Sequence, residues 1–171
     1  AMDGLVSNFA LMSGVAGGSD DSGTVVLAGL AGLAAGAFSM AAGEYTSVAT
    51  ETELTLAEIE VERRELLTRP KAEQRELAEM LMSDGVEPEL AAKVAAQLSR
   101  DPDRALDIHV RAELGVDPND LPSPRVAAVA SFVSFSAGAL LPVLPYLFGA
   151  TSLWPAAVVA VLGLFLTGGL T

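Results

Sequence analysis

The 171-residue chain contains no cysteine and a single histidine. Without thiols it can build no disulfide, no thiolate zinc site and no iron–sulfur cluster. One histidine cannot furnish a multi-histidine zinc centre. G-x-S-x-G, H-E-x-x-H and glycine-rich phosphate loops are also missing, so the chain does not read as an enzyme and no organic cofactor is expected. Positive charge is scarce, with ten Lys and Arg against twenty-two Asp and Glu, a formal net charge of -12. No basic stripe is available to neutralise phosphates, which argues against nucleic acid and for cationic partners. A bound metal would have to use carboxylate oxygen, the one imidazole, methionine sulfur or backbone carbonyls.

The charge that is present is segregated. Eighteen of the twenty-two acidic residues and nine of the ten basic ones fall between Glu51 and Asp120, while 51% of the whole chain is hydrophobic. Bulk averages therefore describe neither part. The sequence reads as an all-α, polytopic membrane bundle carrying an inserted charged helical domain. The expected divisions are residues 1–50 (spans 1 and 2), 51–125 (the acidic domain) and 126–171 (spans 3 and 4).

Leu5 to Gly17 is apolar but short of the roughly 20 residues that cross a bilayer. Gly18 to Gly23 is a polar turn. Thr24 to Thr50 is long enough to span and has one ionisable residue, Glu44. Gly32-x-x-x-Gly36 within it has the spacing of a helix-contact motif, although small residues are common in membrane helices generally. No breaker intervenes before Pro70, so this helix is expected to continue out of the apolar region. Helices are expected over Lys71–Ser83, Glu89–Leu98 and from Asp101-Pro102 to about Gly115, with Asp101 as N-cap. Val126 to Phe148 reads as a span kinked near Pro142 and Pro145, and Leu153 to Leu170 as another. There is no basic region ahead of the first apolar run, so no signal peptide is expected. The chain lacks an initiator methionine and stops within apolar sequence, and it reads as a piece of a longer protein. Lysine and arginine concentrate in the central segment, which positive-inside counting places on the cytoplasmic side.

Within that segment, Glu62-x-x-Glu65 and Glu73-x-x-Glu76 each place two carboxylates on one helical face, and Pro70 can turn the second pair toward the first. Four facing carboxylates repel unless cations sit among them, and hard or borderline divalent ions prefer such oxygens. The same spacing fits a solvated face neutralised by Arg63, Arg64, Arg69 and Arg75. His109 and Glu113 lie one turn apart, as ligands or as a structural pair. In the apolar segments, Asp3 and Glu44 are costly in hydrocarbon and are expected to line a bundle interior or aqueous path. Met40 and Ser47 share the Glu44 face. Glu44 could instead sit at the membrane interface, and Met40 could simply pack.

Asp3-Gly-Leu-Val-Ser-Asn-Phe-Ala-Leu and Ser39-Met-Ala-Ala-Gly-Glu-Tyr-Thr-Ser47 resemble the vacuolar iron transporter family, including its bacterial members. Pro70 between two Glu-x-x-Glu pairs, Arg111-Ala-Glu-Leu-Gly115 and Leu140-Leu-Pro-Val-Leu-Pro-Tyr146 extend the resemblance over nearly the whole chain. It implies a homodimer of five-span subunits in a membrane, here most simply a bacterial cell membrane, that moves Fe2+ and often Mn2+ out of the cytosol in exchange for protons. It further implies that Asp3 and Met40 line the path, and that Glu62, Glu65, Glu73, Glu76 and Glu113 belong to a cytoplasmic metal-binding domain. The methionine pair of plant members falls on His109 and Val110, and their glycine falls on Glu44. A fifth span is absent from the chain. A membrane-anchored module that buffers or senses metal without moving it is the alternative reading.

Overall fold

Prolines and short polar caps set most of the helix boundaries. The computed structural model describes residues 1–168, and among these every regular element is a helix. They are α1 (Met2–Gly18), α2 (Ser22–Thr68), α3 (Pro70–Ser83), α4 (Pro88–Leu98), α5 (Pro102–Glu113), α6 (Pro124–Leu140), α7 (Leu144–Leu147) and α8 (Trp154–Gly168). Helices α3, α4, α5 and α6 each open on proline, whose missing N–H is unneeded in a first turn. Asp21 caps α2 by accepting hydrogen bonds from the Gly23 and Thr24 amides at 3.2 and 3.0 Å. Asp101 does the same for α5, accepting from Asp103 and Arg104. Gly115, with φ +67, follows α5 in a left-handed conformation that a side chain would strain.

Helix α2 is continuous over 47 residues, about 70 Å at 1.5 Å per residue, and ends at Pro70 as its sequence requires. Among the described residues it alone is long and apolar enough to cross a bilayer by itself. The stretches Pro124–Leu140 and Trp154–Leu166 are apolar but shorter. The Val126–Phe148 segment is divided rather than kinked. α6 stops at Leu140, and the Leu141 and Val143 amides bond back three residues, to Gly138 and Leu140, before α7 begins. The cause is local: Pro142 and Pro145 supply no amide hydrogen for a continuing ladder. The end of the expected last span, residues 169–170, lies outside the described residues.

The chain forms two compact units, Ala1–Val48 with Ser123–Thr171, and Ala49–Pro122. In the first, Met12, Val25, Val143, Tyr146 and Ala156 form one buried cluster, and Ala37, Phe135 and Ala139 another. Backbones approach closely where glycine removes the Cβ. A Cβ on Gly4 would strike the Phe135 carbonyl, and one on Gly36 would enter the Phe135 ring. One on Gly32 would fall 2.5 Å from Leu11 and 2.6 Å from the Asn8 side-chain oxygen. Both glycines of Gly32-x-x-x-Gly36 are thus used inside the chain, one against α1 and one against α6. Buried Asn8 adds a polar tie, its amide nitrogen donating to the Ala139 carbonyl at 2.7 Å.

In the second unit, Ile59 of α2 packs on Leu106 and Val110 of α5, flanked by Leu66, Leu114, Val116 and Leu121. Helices α3 and α4 pack together, each with an amphipathic face burying Leu77, or Ala91 and Ala95. The Thr52 hydroxyl donates to the Pro122 carbonyl at 3.2 Å, tying the start of this unit to its end.

Gly36→Val should therefore lower the melting temperature of the detergent-solubilised chain, at an overpacking cost of about 1–3 kcal/mol. Gly14→Ala meets no atom within 4 Å and should leave the melting temperature unchanged or raise it. Equal effects of the two, read by circular dichroism melts, would refute the close-approach account.

Candidate metal centre

The apolar contact of Ile59 with Leu106 and Val110 fixes how α2 faces α5. Glu62 lies three residues beyond Ile59, one turn along the same face. His109 precedes Val110, and Glu113 follows one turn later. The packing therefore brings three polar side chains from two helices to one point. His109 Nδ1 lies 3.1 Å from Glu62 Oε1 and 3.1 Å from Glu113 Oε1. One ligand atom from each residue can be chosen so that all three lie within 4.8 Å of one another. His109 is fully buried, Glu62 nearly so, and Glu113 is partly open. Beside them runs a cleft of about 270 Å³ lined by Glu58, Val61, Glu62, Glu65, Val110, Glu113 and Leu114.

The protein alone does not satisfy this cluster. A single Nδ1 can direct one hydrogen, and the hydrogen bond goes to Glu113. Glu62 Oε1 and His109 Nε2 are left buried without a hydrogen-bond partner. Buried polar atoms are nearly always paired, so the orphaned Glu62 Oε1, 3.1 Å from His109 Nδ1, marks a place for another group. Burial pushes the Glu62 carboxyl up to about 7, with repulsion from Glu113, Glu73 and Glu65 adding and His109 opposing. Glu73 is also buried, and its carboxyl is raised first by burial and then by Glu76, Glu65 and Glu113. Carboxylate oxygens and one imidazole, held together with one buried oxygen lacking a partner, are a donor set for a divalent cation.

The remaining expected residues lie differently. Glu65 is half-buried and pairs with Arg69 at 3.3 Å, as a neutralised helix face would. Glu76 is exposed, beside Glu73. Arg63 reaches Glu60 and Asp103, each at 3.7 Å, rather than the expected ligands. In the other unit, Asp3 is exposed and accepts a hydrogen bond from Ser7 at 3.1 Å, and Met40 and Glu44 are exposed on α2.

Sequence spacing pairs Glu62 with Glu65 and His109 with Glu113, but gives no sign that Glu62 meets His109. It also misses what steadies the end of α5. Arg111 bonds Asp107 at 3.0 Å and Asp117 at 2.7 Å, while Asn119 bonds Asp107 through its side chain and Asp117 through its backbone N–H. Asp107 and then Asp117 hold the Arg111 guanidinium above its ordinary range. The Asn119 amide, then Arg111, hold Asp117 below the usual carboxylate range. The Asp117-Pro-Asn turn was the one legible hint.

Raised folded-state values fix the sign of a pH effect. Between about 4.5 and 7 the folded chain binds more protons at Glu62 than the unfolded chain does, so the contribution is full below 4.5 and lost as pH rises through 7. Glu73 acts in the same direction. The chelator-treated chain should melt at a higher temperature at pH 5.5 than at pH 8, and Glu62→Gln should flatten that difference. A difference unaltered in the variant would remove Glu62 as its source.

A profile of the VIT family matches residues 1–171. The chain is 37% identical over 150 residues to vacuolar iron transporter 1 of Oryza sativa subsp. japonica, covering 88% of this chain and 60% of the relative. To vacuolar iron transporter 1 of Arabidopsis thaliana it is 34% identical over 148 residues, 85% of this chain and 58% of the relative. To a vacuolar iron transporter of Acanthamoeba castellanii it is 37% identical over 141 residues, 82% and 52% of the two chains. It thus spans just over half to three-fifths of the length of these relatives. With a profile match along its full length and relatives above 30% identity over most of it, the chain belongs to the VIT family.

Proposed function

We propose that this chain moves a divalent metal ion, ferrous iron and also manganese, out of the cytosol in exchange for protons, and that its acidic unit captures the ion first. The observation that carries this reading is the convergence of Glu62, His109 and Glu113, with the buried Glu62 Oε1 left without a hydrogen-bond partner there. A solvated acidic face needs no buried carboxylate; a cation site does. Relatives named for iron transport supply the cargo and the direction of the reasoning from site to transport.

In this reading Glu62, Glu113 and His109 are the primary ligands. Buried Glu73 adds negative potential, and Glu65 and Glu76 at the edge concentrate cations from solution. Concentration of lysine and arginine in this segment supports a cytoplasmic location. Asp3, Met40 and Glu44 then form the path through the membrane. All three are exposed on a single chain, which suits a path completed by a second copy, since ionisable groups are not left facing hydrocarbon. A carboxylate holds a cation when ionised and releases it when protonated, so exchange against protons follows from the same groups.

Glu62→Gln should weaken Fe2+ and Mn2+ binding to the full chain at least about tenfold, the lower range seen even when residues outside the ligand shell are lost. Isothermal titration under anaerobic conditions reads this directly. Affinity of the unaltered chain should fall as pH drops below about 7, where a proton occupies Glu62, and level off above. In liposomes, Asp3→Ala should abolish ion flux while leaving affinity at the glutamate centre intact. Unchanged flux would sink the path assignment. Binding without flux in the unaltered chain would instead support a module that only buffers or senses metal.

A further inference from the structure

We propose that His109 sets the metal selectivity of this centre, making it a mixed nitrogen–oxygen site that favours late first-row divalent ions, Zn2+ and Co2+ with Fe2+, over Mn2+ and rejects Mg2+ and Ca2+. This inference rests on the cation-site reading of the same cluster.

The geometry fits that class. Metal–nitrogen distances of about 2.0–2.1 Å and metal–oxygen distances of about 2.0–2.2 Å put adjacent ligand atoms about 3–3.4 Å apart. His109 Nδ1 stands 3.1 Å from each carboxylate oxygen, so an ion of this size enters with little movement of the ring. Calcium asks for six to eight oxygens at about 2.3–2.6 Å, and the buried imidazole fills a position where it would need oxygen. Magnesium prefers water and oxygen in its shell, and the buried imidazole offers it nitrogen instead.

Ligand chemistry points the same way. All-oxygen sites also follow the order Mn2+ < Fe2+ < Co2+, but imidazole suits the later ions, Zn2+ included, and carboxylate suits Mn2+, so one nitrogen widens the spread. The ring cannot turn away to water, because it is fully buried between the helices. Nor can another side chain take its part as a nitrogen or thiolate ligand: the chain has one histidine and no cysteine.

That singularity gives a direct test. In the tag-free full chain in detergent, pulsed electron paramagnetic resonance of one equivalent of Cu2+ should show the modulation of a coordinated imidazole, and His109 is its sole source. Absence of imidazole nitrogen coupling would overturn the proposal in the unaltered protein, with no question of misfolding. Competition titrations should then show a Zn2+ to Mn2+ affinity ratio that falls at least about tenfold in His109→Gln, a loss on the scale of other ligand-environment changes. An unchanged ratio in His109→Gln, alongside lost binding in Glu62→Gln, would overturn the selectivity role alone. Wild-type affinity for every ion in Glu62→Gln would overturn the cation site itself.

Discussion

Taking a carboxylate out of water costs several kcal/mol unless a proton, a counter-charge or a metal compensates it. The acidic unit does this twice, at Glu62 and Glu73, and adds a third carboxylate, Glu113, at the edge. Among the described residues, no ion pair joins an arginine or lysine to either buried group. The nearby cations are engaged elsewhere, Arg69 with Glu65 and Arg63 with Glu60 and Asp103. What faces Glu62 is the His109 imidazole, whose Nδ1 also hydrogen-bonds Glu113. The arrangement is held by apolar contact behind it, Ile59 on Leu106 and Val110, so the repulsion among carboxylates is not free to relax by separating the helices. That constraint is what the proposed capture of a cation would draw on.

The apolar unit depends on a different constraint. In a membrane, helices gain little by hiding apolar surface from one another, and close backbone approach and polar ties matter more. Gly4, Gly32 and Gly36 provide the approach, and Asn8 provides the tie to Ala139. These contacts are made within one chain. They leave Asp3, Met40 and Glu44, the residues of the proposed path, on its surface. The buried carboxylates and imidazole thus lie in the acidic unit, while the buried polar group that ties the apolar unit, Asn8, is an uncharged amide.

Particular residues show why some of this was readable in advance. Pro70, Pro88, Pro102 and Pro124 mark helix starts because proline's lost N–H is tolerated only there, and the Asp101 cap follows from a side chain one residue earlier. The 47-residue α2 follows from the absence of any breaker. The break after Leu140 was underestimated as a kink, because two prolines three residues apart remove more of the ladder than either alone. In the acidic unit, i,i+4 spacing exposed His109 with Glu113, and i,i+3 spacing put Glu62 and Glu65 along one cleft, although Glu65 also pairs with Arg69.

The sequence by itself determined segregation of charge, the helix boundaries and the candidate ligands, because these depend on composition, on proline and capping chemistry, and on repeats within one helix. The absence of cysteine also excluded thiolate and disulfide chemistry outright. Only the tertiary structure decided which carboxylate meets the histidine, which acids are buried, and where the small residues make contact. Those outcomes depend on the angle and register at which α2 meets α5 and α1 meets α6, and register between separate helices is set by packing of side chains far apart in the chain. No spacing rule within a single helix carries that information.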